Sequence, residues 1–209
     1  MRRWPRPTWN APRGKLSLFL LLIPLFSALL VEEPFVLLLG ASAVLWHEGG
    51  HLFFFLLCGV PPSRLFADTF GLRLESALPL SPKKEALIAI GGPLFNVLAA
   101  ALLLLFGHGD FFRLYATLHL MPALFNLFPV FTTDGGRLLL LLLHALLPTE
   151  TAEAAFRLFS AILLAFLFFF CAFLFYFGGI GLYGVFFSLF FFWRVVCYDF
   201  NEKRDFKSF

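Results

Sequence analysis

The residues best suited to chemistry form a His-Glu-x-x-His sequence: His47, Glu48 and His51 lie in an otherwise uncharged apolar run from about residue 34 to 63. On a helix, side chains four positions apart share one face, so the two imidazoles point the same way. Such a pair can hold one zinc ion, with the glutamate as general base for water. Ionisable groups are costly in a membrane helix, so this cluster indicates a functional site.

A catalytic zinc site usually takes a third protein ligand, and Asp134 is the best candidate. It lies in a helix break after Pro129, and two glycines follow it that let the backbone turn. Irregular backbone at membrane depth is tolerated where protein or a water-filled cavity surrounds it. Two alternatives stay open. Asp134 is only the N-cap of a short helix beginning near Arg137, or His119 supplies the third ligand.

The other candidate site residues each allow a structural and a functional interpretation. Asn96 and Asn126 interrupt apolar segments, where an amide either hydrogen-bonds between helices or contacts the substrate backbone or an oxyanion. Residues 70–75 alternate apolar and polar side chains, which predicts a strand in a hairpin with its turn near Asp68. Through Phe70 and Leu72 this strand either holds an extended substrate by edge pairing or forms an ordinary interfacial hairpin.

The composition indicates an integral membrane protein. Of 209 residues, 60% are hydrophobic and only 14% are charged, which leaves room for several membrane spans and little else. We expect one intramembrane domain over residues 1–209, with a catalytic core at about 34–147 and two further helices at about 155–198. The cysteines form no CxxC pair, and we expect no disulfide framework.

Apolar segments predict an all-α polytopic membrane protein with about six transmembrane helices and a small β-hairpin after the second. The predicted spans lie at about 16–31, 34–58, 82–106, 112–125, 155–177 and 182–198. Ser81 and Pro82 predict the start of the third span, as N-cap and first-turn residues. A short apolar helix, at about 138–147, is too short to cross alone and is expected to continue the fourth span.

Basic residues indicate the orientation. Six spans place both termini on one side, and all sixteen Lys and Arg residues except Arg113 then fall on that side. Basic residues favour the cytoplasmic side, so we expect cytoplasmic termini. The basic stretch at residues 1–15 is accordingly interpreted as a cytoplasmic flank, and no nucleic-acid partner is expected. His47 would lie roughly 20 Å along the second span from Pro34, toward the cytoplasmic side.

Three segments together resemble the site-2 protease family of intramembrane zinc metalloproteases. They are the HExxH at 47–51, the Gly-Pro-x-x-Asn at 92–96, and the Asn-Leu-Phe-Pro at 126–129 that leads to Asp-Gly-Gly-Arg at 134–137. They occur in the family's order and on the second to fourth predicted spans. The six-span layout most resembles the branch containing the sporulation protease that processes a sigma factor.

The resemblance implies His47, His51 and Asp134 as ligands of one Zn²⁺ per chain and Glu48 as the base. It also implies substrate handling by Asn96 and by the hairpin region. The sequence departs from the family at Thr132, where proline is frequent, and we expect no attached regulatory domain after residue 198.

The expected activity is zinc-dependent cleavage of a membrane protein or membrane-associated substrate near the cytoplasmic side of the bilayer. The alternatives are a catalytically inactive membrane scaffold and a zinc-binding transporter. Retention of Glu48 argues against the scaffold. A transporter has no need of a glutamate between the two ligands, and the chain shows no internal repeat of the kind common in transporters.

Overall fold

The computed structural model describes residues 34–60, 62–68, 71–76, 80–130 and 133–178. The elements in these ranges are α1 (Pro34–Leu57), β1 (Pro62–Asp68), β2 (Gly71–Ser76), α2 (Pro82–Phe106), α3 (Asp110–Leu127), α4 (Asp134–Leu146) and α5 (Thr149–Gly178). The predicted first and sixth spans lie outside the described residues, so the count of six spans stays a prediction.

The described residues fall into two units. The first contains α1, the two strands, α2, α3 and the beginning of α4 through Leu138. In it, α1 and α3 each pack along α2 and also contact one another. The second contains the remainder of α4 and all of α5. The expectation of one domain stays a prediction.

A glycine ends α1 and turns the chain toward the hairpin. Gly59 has φ 65°, a left-handed conformation that costs glycine little. Its turn lets the Val60 N–H donate to Phe55 O at 3.1 Å. Val60 and Phe55 then pack with Ile88 of α2 in a small buried cluster. The end of α1 is thereby attached to α2 close to the first turns of that helix.

Two antiparallel strands connect α1 to α2. Leu65 pairs with Leu74 and Asp68 pairs with Gly71, and the register is irregular between Pro62 and Arg64. The strands therefore lie in the region where the alternating pattern predicts a hairpin. Residues 69 and 70, between the strands, lie outside the described part of the chain.

The helix α2 begins as the sequence predicts. Ser81 is its N-cap, with Oγ accepting from the Lys84 N–H at 3.4 Å, and a proline stands in the first turn. Its 25 residues measure about 37 Å at 1.5 Å per residue, more than the roughly 30 Å of a bilayer's hydrocarbon core. By length and composition, α2 and Thr149–Phe170 of α5 can cross a membrane. α1 is of similar length but contains the His-Glu-x-x-His residues, which lower its hydropathy.

Small side chains fill many of the contacts among α1, α2 and α3, and most large apolar side chains lie outside. The buried alanines are Ala43, Ala89, Ala100, Ala116 and Ala123. Large apolar side chains, by contrast, are widely exposed along these three helices, up to 77% for Phe106. In lipid, helices associate by close packing of small residues, because large apolar side chains gain nothing by leaving the hydrocarbon. This distribution is that of a membrane protein, as the composition predicts.

The closest approach between α1 and α2 occurs at glycines. A Cβ on Gly50 would collide with the carbonyl of Gly91 and lie 2.9 Å from Phe95 Cβ. A Cβ on Gly91 would lie 2.8 Å from Gly50 O. The two backbones are therefore nearly in contact, a distance that only glycine permits.

In the second unit, α5 begins earlier than the apolar pattern predicts. The sequence indicates a span from about residue 155, whereas the helix starts at Thr149 and includes a polar first turn. One face is buried at four-residue intervals, at Ala152, Phe156, Ser160 and Leu164. The prediction missed the first turn because hydropathy identifies the apolar part of a helix and not its polar end.

The glycine contact predicts different outcomes for the adjacent substitutions Gly50→Ala and Gly49→Ala. Gly50→Ala must push the helices apart and should lower the free energy of unfolding by about 1–3 kcal/mol. Nothing lies within 4 Å of a Cβ on Gly49, so Gly49→Ala should be neutral or stabilising by up to about 1 kcal/mol. Thermal unfolding of the metal-stripped protein in detergent measures both. Equal midpoints for the two variants would contradict the close contact.

Candidate metal centre

The two histidines of α1 meet through their Nε2 atoms. His47 and His51 lie one helical turn apart. Their rings pack edge-to-face, with centroids 4.9 Å apart. The two Nε2 atoms are separated by 3.2 Å. His47 is only 3% exposed, and Glu48, between them in sequence, is half-buried.

The carboxylate of Asp134 completes the cluster. Its Oδ2 lies 3.1 Å from His47 Nε2 and 3.3 Å from His51 Nε2. Among the described residues, these three form the group whose ligand atoms lie within 4.8 Å of one another. The sequence-based candidate for the third ligand is therefore beside the histidines, whereas its rival His119 is not part of the group.

Thr133, rather than Asp134, caps the helix α4. Its Oγ1 accepts from the Gly136 N–H at 3.1 Å and donates to Phe128 O at 2.5 Å. The helix begins at Asp134, earlier than the predicted start. The cap role considered for Asp134 from the sequence thus belongs to its neighbour, and the Asp134 carboxylate is available to the histidines.

Two further contacts fix the start of α4. A Cβ on Gly135 would collide with the backbone of Leu127, so α4 begins directly against the end of α3. Arg137 Nε donates to Glu85 Oε1 at 2.8 Å, which joins α4 to the first turn of α2. Glu85 is 8% exposed, and a buried carboxylate requires such a partner. Sequence reasoning missed this pair, because the two residues are 52 positions apart.

The spacing of the three ligand atoms fits a tetrahedral zinc ion. Zinc bonds of about 2.0–2.2 Å at a tetrahedral angle place neighbouring ligand atoms about 3.3–3.6 Å apart. The three separations here are 3.1, 3.2 and 3.3 Å. Two imidazole nitrogens and one carboxylate oxygen are also a donor set that zinc accepts, and catalytic zinc sites keep a fourth position for water.

The other nitrogen of each imidazole has a partner of its own. His51 Nδ1 donates to the backbone oxygen of Ile88 at 2.7 Å, so its Nε2 carries the lone pair that a metal needs. His47 Nδ1 lies 3.3 Å from Asn96 Nδ2. Both rings are thereby oriented from α2, with Nε2 facing the cluster.

Gly92 of α2 lies directly over the two imidazoles. A Cβ at this position would collide with the Nε2 atoms of both His47 and His51. Any larger residue would therefore fill the space where the ligand atoms converge. Two successive glycines do not by themselves indicate this role, because it depends on which face of α2 meets the histidines.

The remaining predicted site residues lie in different surroundings. Asn96 is fully buried. Asn126 Nδ2 donates to Pro122 O of its own helix at 3.0 Å. Leu72 belongs to β2 and pairs with Ala67, while Phe70 lies outside the described residues. Contact of these residues with a substrate stays a prediction.

Comparison with known proteins supports the architecture. No family model and no curated protein matches the sequence. Among solved structures, the Site-2 Protease from Methanocaldococcus jannaschii matches with a TM-score of 0.62 and 21% identity over 85% of each chain. The chain has the site-2 protease fold. The predicted resemblance to site-2 proteases is thus confirmed, while the likeness to the sporulation branch stays a prediction.

Proposed function

We propose that this protein is a zinc-dependent intramembrane endopeptidase. The observation that carries the proposal is the convergence of His47 Nε2, His51 Nε2 and Asp134 Oδ2, with Glu48 next to His47 in α1, in a chain that has the site-2 protease fold. These three residues would hold one zinc ion per chain. When bound there, zinc supplies Lewis-acid activation of water and of a peptide carbonyl.

Glu48 is the proton carrier in this proposal. Its carboxylate takes a proton from the attacking water as the water oxygen bonds to the peptide carbon. It then returns the proton to the amine nitrogen as the carbon–nitrogen bond breaks. The products are a free carboxylate and a free amine, and Glu48 regains its starting state. In the proposed site, its half-buried side chain in α1 faces the ligand cluster and remains within reach of water.

The proposed substrate is a membrane protein or membrane-associated segment in extended form. A helical segment hides its carbonyls in hydrogen bonds and must unwind before attack. A two-stranded sheet has an unpaired edge on each side, and among the described residues β2, which contains Leu72, offers one. Phe70 is proposed to contact the same substrate. Asn126 is proposed to bind the substrate backbone, and the lipid bilayer is the surrounding partner.

Glu48→Gln separates catalysis from zinc binding. Glutamine keeps the size of the side chain but cannot accept the proton, so proteolysis should fall by about 10²–10⁴-fold while zinc content stays at one per chain. Membranes from cells expressing either form can be compared by mass spectrometry of new protein termini. Termini inside apolar segments should appear with the wild type alone.

Equal sets of termini from the two forms, or none that depend on the wild type, would contradict the assignment. His47→Ala is the matched control, because it should lose the termini and the zinc together. An inactive scaffold or a transporter would give no such termini with any form.

We further propose that the protein spans the membrane several times, with its termini and the ligand cluster toward the cytoplasm. The helix α2 is long enough to cross, so Lys83 and Asp110 should lie on opposite sides. The excess of basic residues around Lys83 favours the cytoplasm for that end.

Labelling tests this orientation. In a variant whose Cys58, Cys171 and Cys197 are replaced by alanine, Asp110→Cys should react with a membrane-impermeant maleimide added to intact cells. Lys83→Cys should react only after the cells are opened. The reverse pattern would overturn the orientation, and labelling of both in intact cells would show that α2 does not cross.

A further inference from the structure

Asn96 connects the ligand His47 to a third histidine inside the helix bundle. Its Nδ2 lies 3.3 Å from His47 Nδ1, and its Oδ1 lies 3.1 Å from His119 Nδ1. Asn96 is 0% exposed and both histidines are 3% exposed. Each end of the amide is therefore occupied by an imidazole nitrogen and sealed from solvent.

If His47 binds the metal through Nε2, Asn96 must accept a hydrogen bond from His47 Nδ1. A neutral imidazole that gives its Nε2 lone pair to a metal carries its proton on Nδ1. This N–H needs an acceptor, because an unpaired buried donor costs about 1–3 kcal/mol. The amide oxygen of Asn96 is the acceptor within reach once the amide turns over, which exchanges the positions of Oδ1 and Nδ2.

His119 can satisfy the amide in either orientation. Its Nδ1 donates when Asn96 presents Oδ1, and in the other tautomer it accepts when Asn96 presents Nδ2. The ring of His119 is held by Tyr115, whose centroid lies 4.7 Å away. Tyr115 is in turn hydrogen-bonded to Ser42 of α1 at 2.9 Å. His119 therefore keeps Asn96 directed at His47 whichever way the amide faces.

We propose that Asn96 is a positioning residue for the metal centre, which accepts a hydrogen bond from His47 Nδ1 when zinc is bound, and that His119 holds its amide in place. This inference rests on the zinc site of the proposed function. It gives α2 a part in zinc affinity, because the orienting group for one ligand lies on a different helix from the ligand itself.

Zinc affinity of Asn96 variants tests the proposal. Asn96→Leu keeps the branched shape of the side chain but cannot accept a hydrogen bond, and it should lower zinc affinity by about 10–100-fold. Asn96→Asp keeps the acceptor and should recover most of that loss. His119→Ala should have a smaller effect, because the bond to His47 survives. Competition with a chromophoric zinc chelator measures affinity on the full chain in detergent, without a substrate.

The thermal unfolding midpoint of the metal-stripped protein shows whether a variant loses zinc affinity because the helix packing is weakened. A variant that loses affinity but keeps this midpoint has lost the positioning of His47. Ala100→Gly is the matched control, since it weakens α2 one turn from Asn96 without removing a hydrogen-bonding side chain, and it should leave zinc affinity unchanged. Asn96→Ser, too short to reach His47, replaces the leucine variant if that one does not fold.

The outcomes distinguish this inference from the proposed function. Wild-type zinc affinity in Asn96→Leu or Asn96→Ser would overturn the positioning role while leaving the metal centre in place. An affinity lost equally in the aspartate variant would also overturn it. Absence of zinc binding by the wild type would overturn the metal centre itself.

Discussion

The close contact between α1 and α2 is the constraint on which the site depends. Gly50 and Gly91 let the two backbones nearly touch, and Gly92 leaves space for both imidazoles. At this distance the carbonyl of Ile88 reaches His51 Nδ1 at 2.7 Å. A wider separation would remove that hydrogen bond and leave the His51 ring free to rotate.

Polar side chains in an apolar bundle must find their partners inside the protein. Water is scarce at membrane depth, and each unpaired polar group there costs several kcal/mol. The first unit meets this requirement with groups that satisfy one another, from Asp134 through His47 and Asn96 to His119. Such a set adds little to stability compared with apolar packing. The proposed metal centre would account for its presence in so apolar a chain.

Local sequence patterns predicted most of the features that depend only on neighbouring residues. The four-residue spacing of His47 and His51 indicated the paired imidazoles, and Ser81 followed by proline located the start of α2. Hydropathy indicated the long apolar helices, of which α2 and Thr149–Phe170 of α5 can cross a membrane by length and composition. The polar ends of α4 and α5 were missed, because a polar first turn looks like a loop in an apolar chain.

Long-range partners could not be predicted in the same way. Asn96 was recognised as an exceptional polar residue, but its partner is 49 positions away and depends on how α2 is rotated against α1. Thr133 and Asp134 are both good helix caps, so the sequence alone cannot say which one caps and which one faces the histidines. The structure decides this through Gly135, whose contact with Leu127 fixes where α4 begins.

The central claim is that two imidazoles and one carboxylate share a metal ion. X-ray absorption at the zinc edge of the purified, zinc-loaded protein tests it most directly. The account predicts a first shell of nitrogen and oxygen at about 2.0–2.2 Å, with multiple scattering from two imidazoles and no sulfur. Replacement of Asp134 by asparagine should change the first shell and leave the imidazole signal. A shell with sulfur, or with one or three imidazoles, would contradict the account.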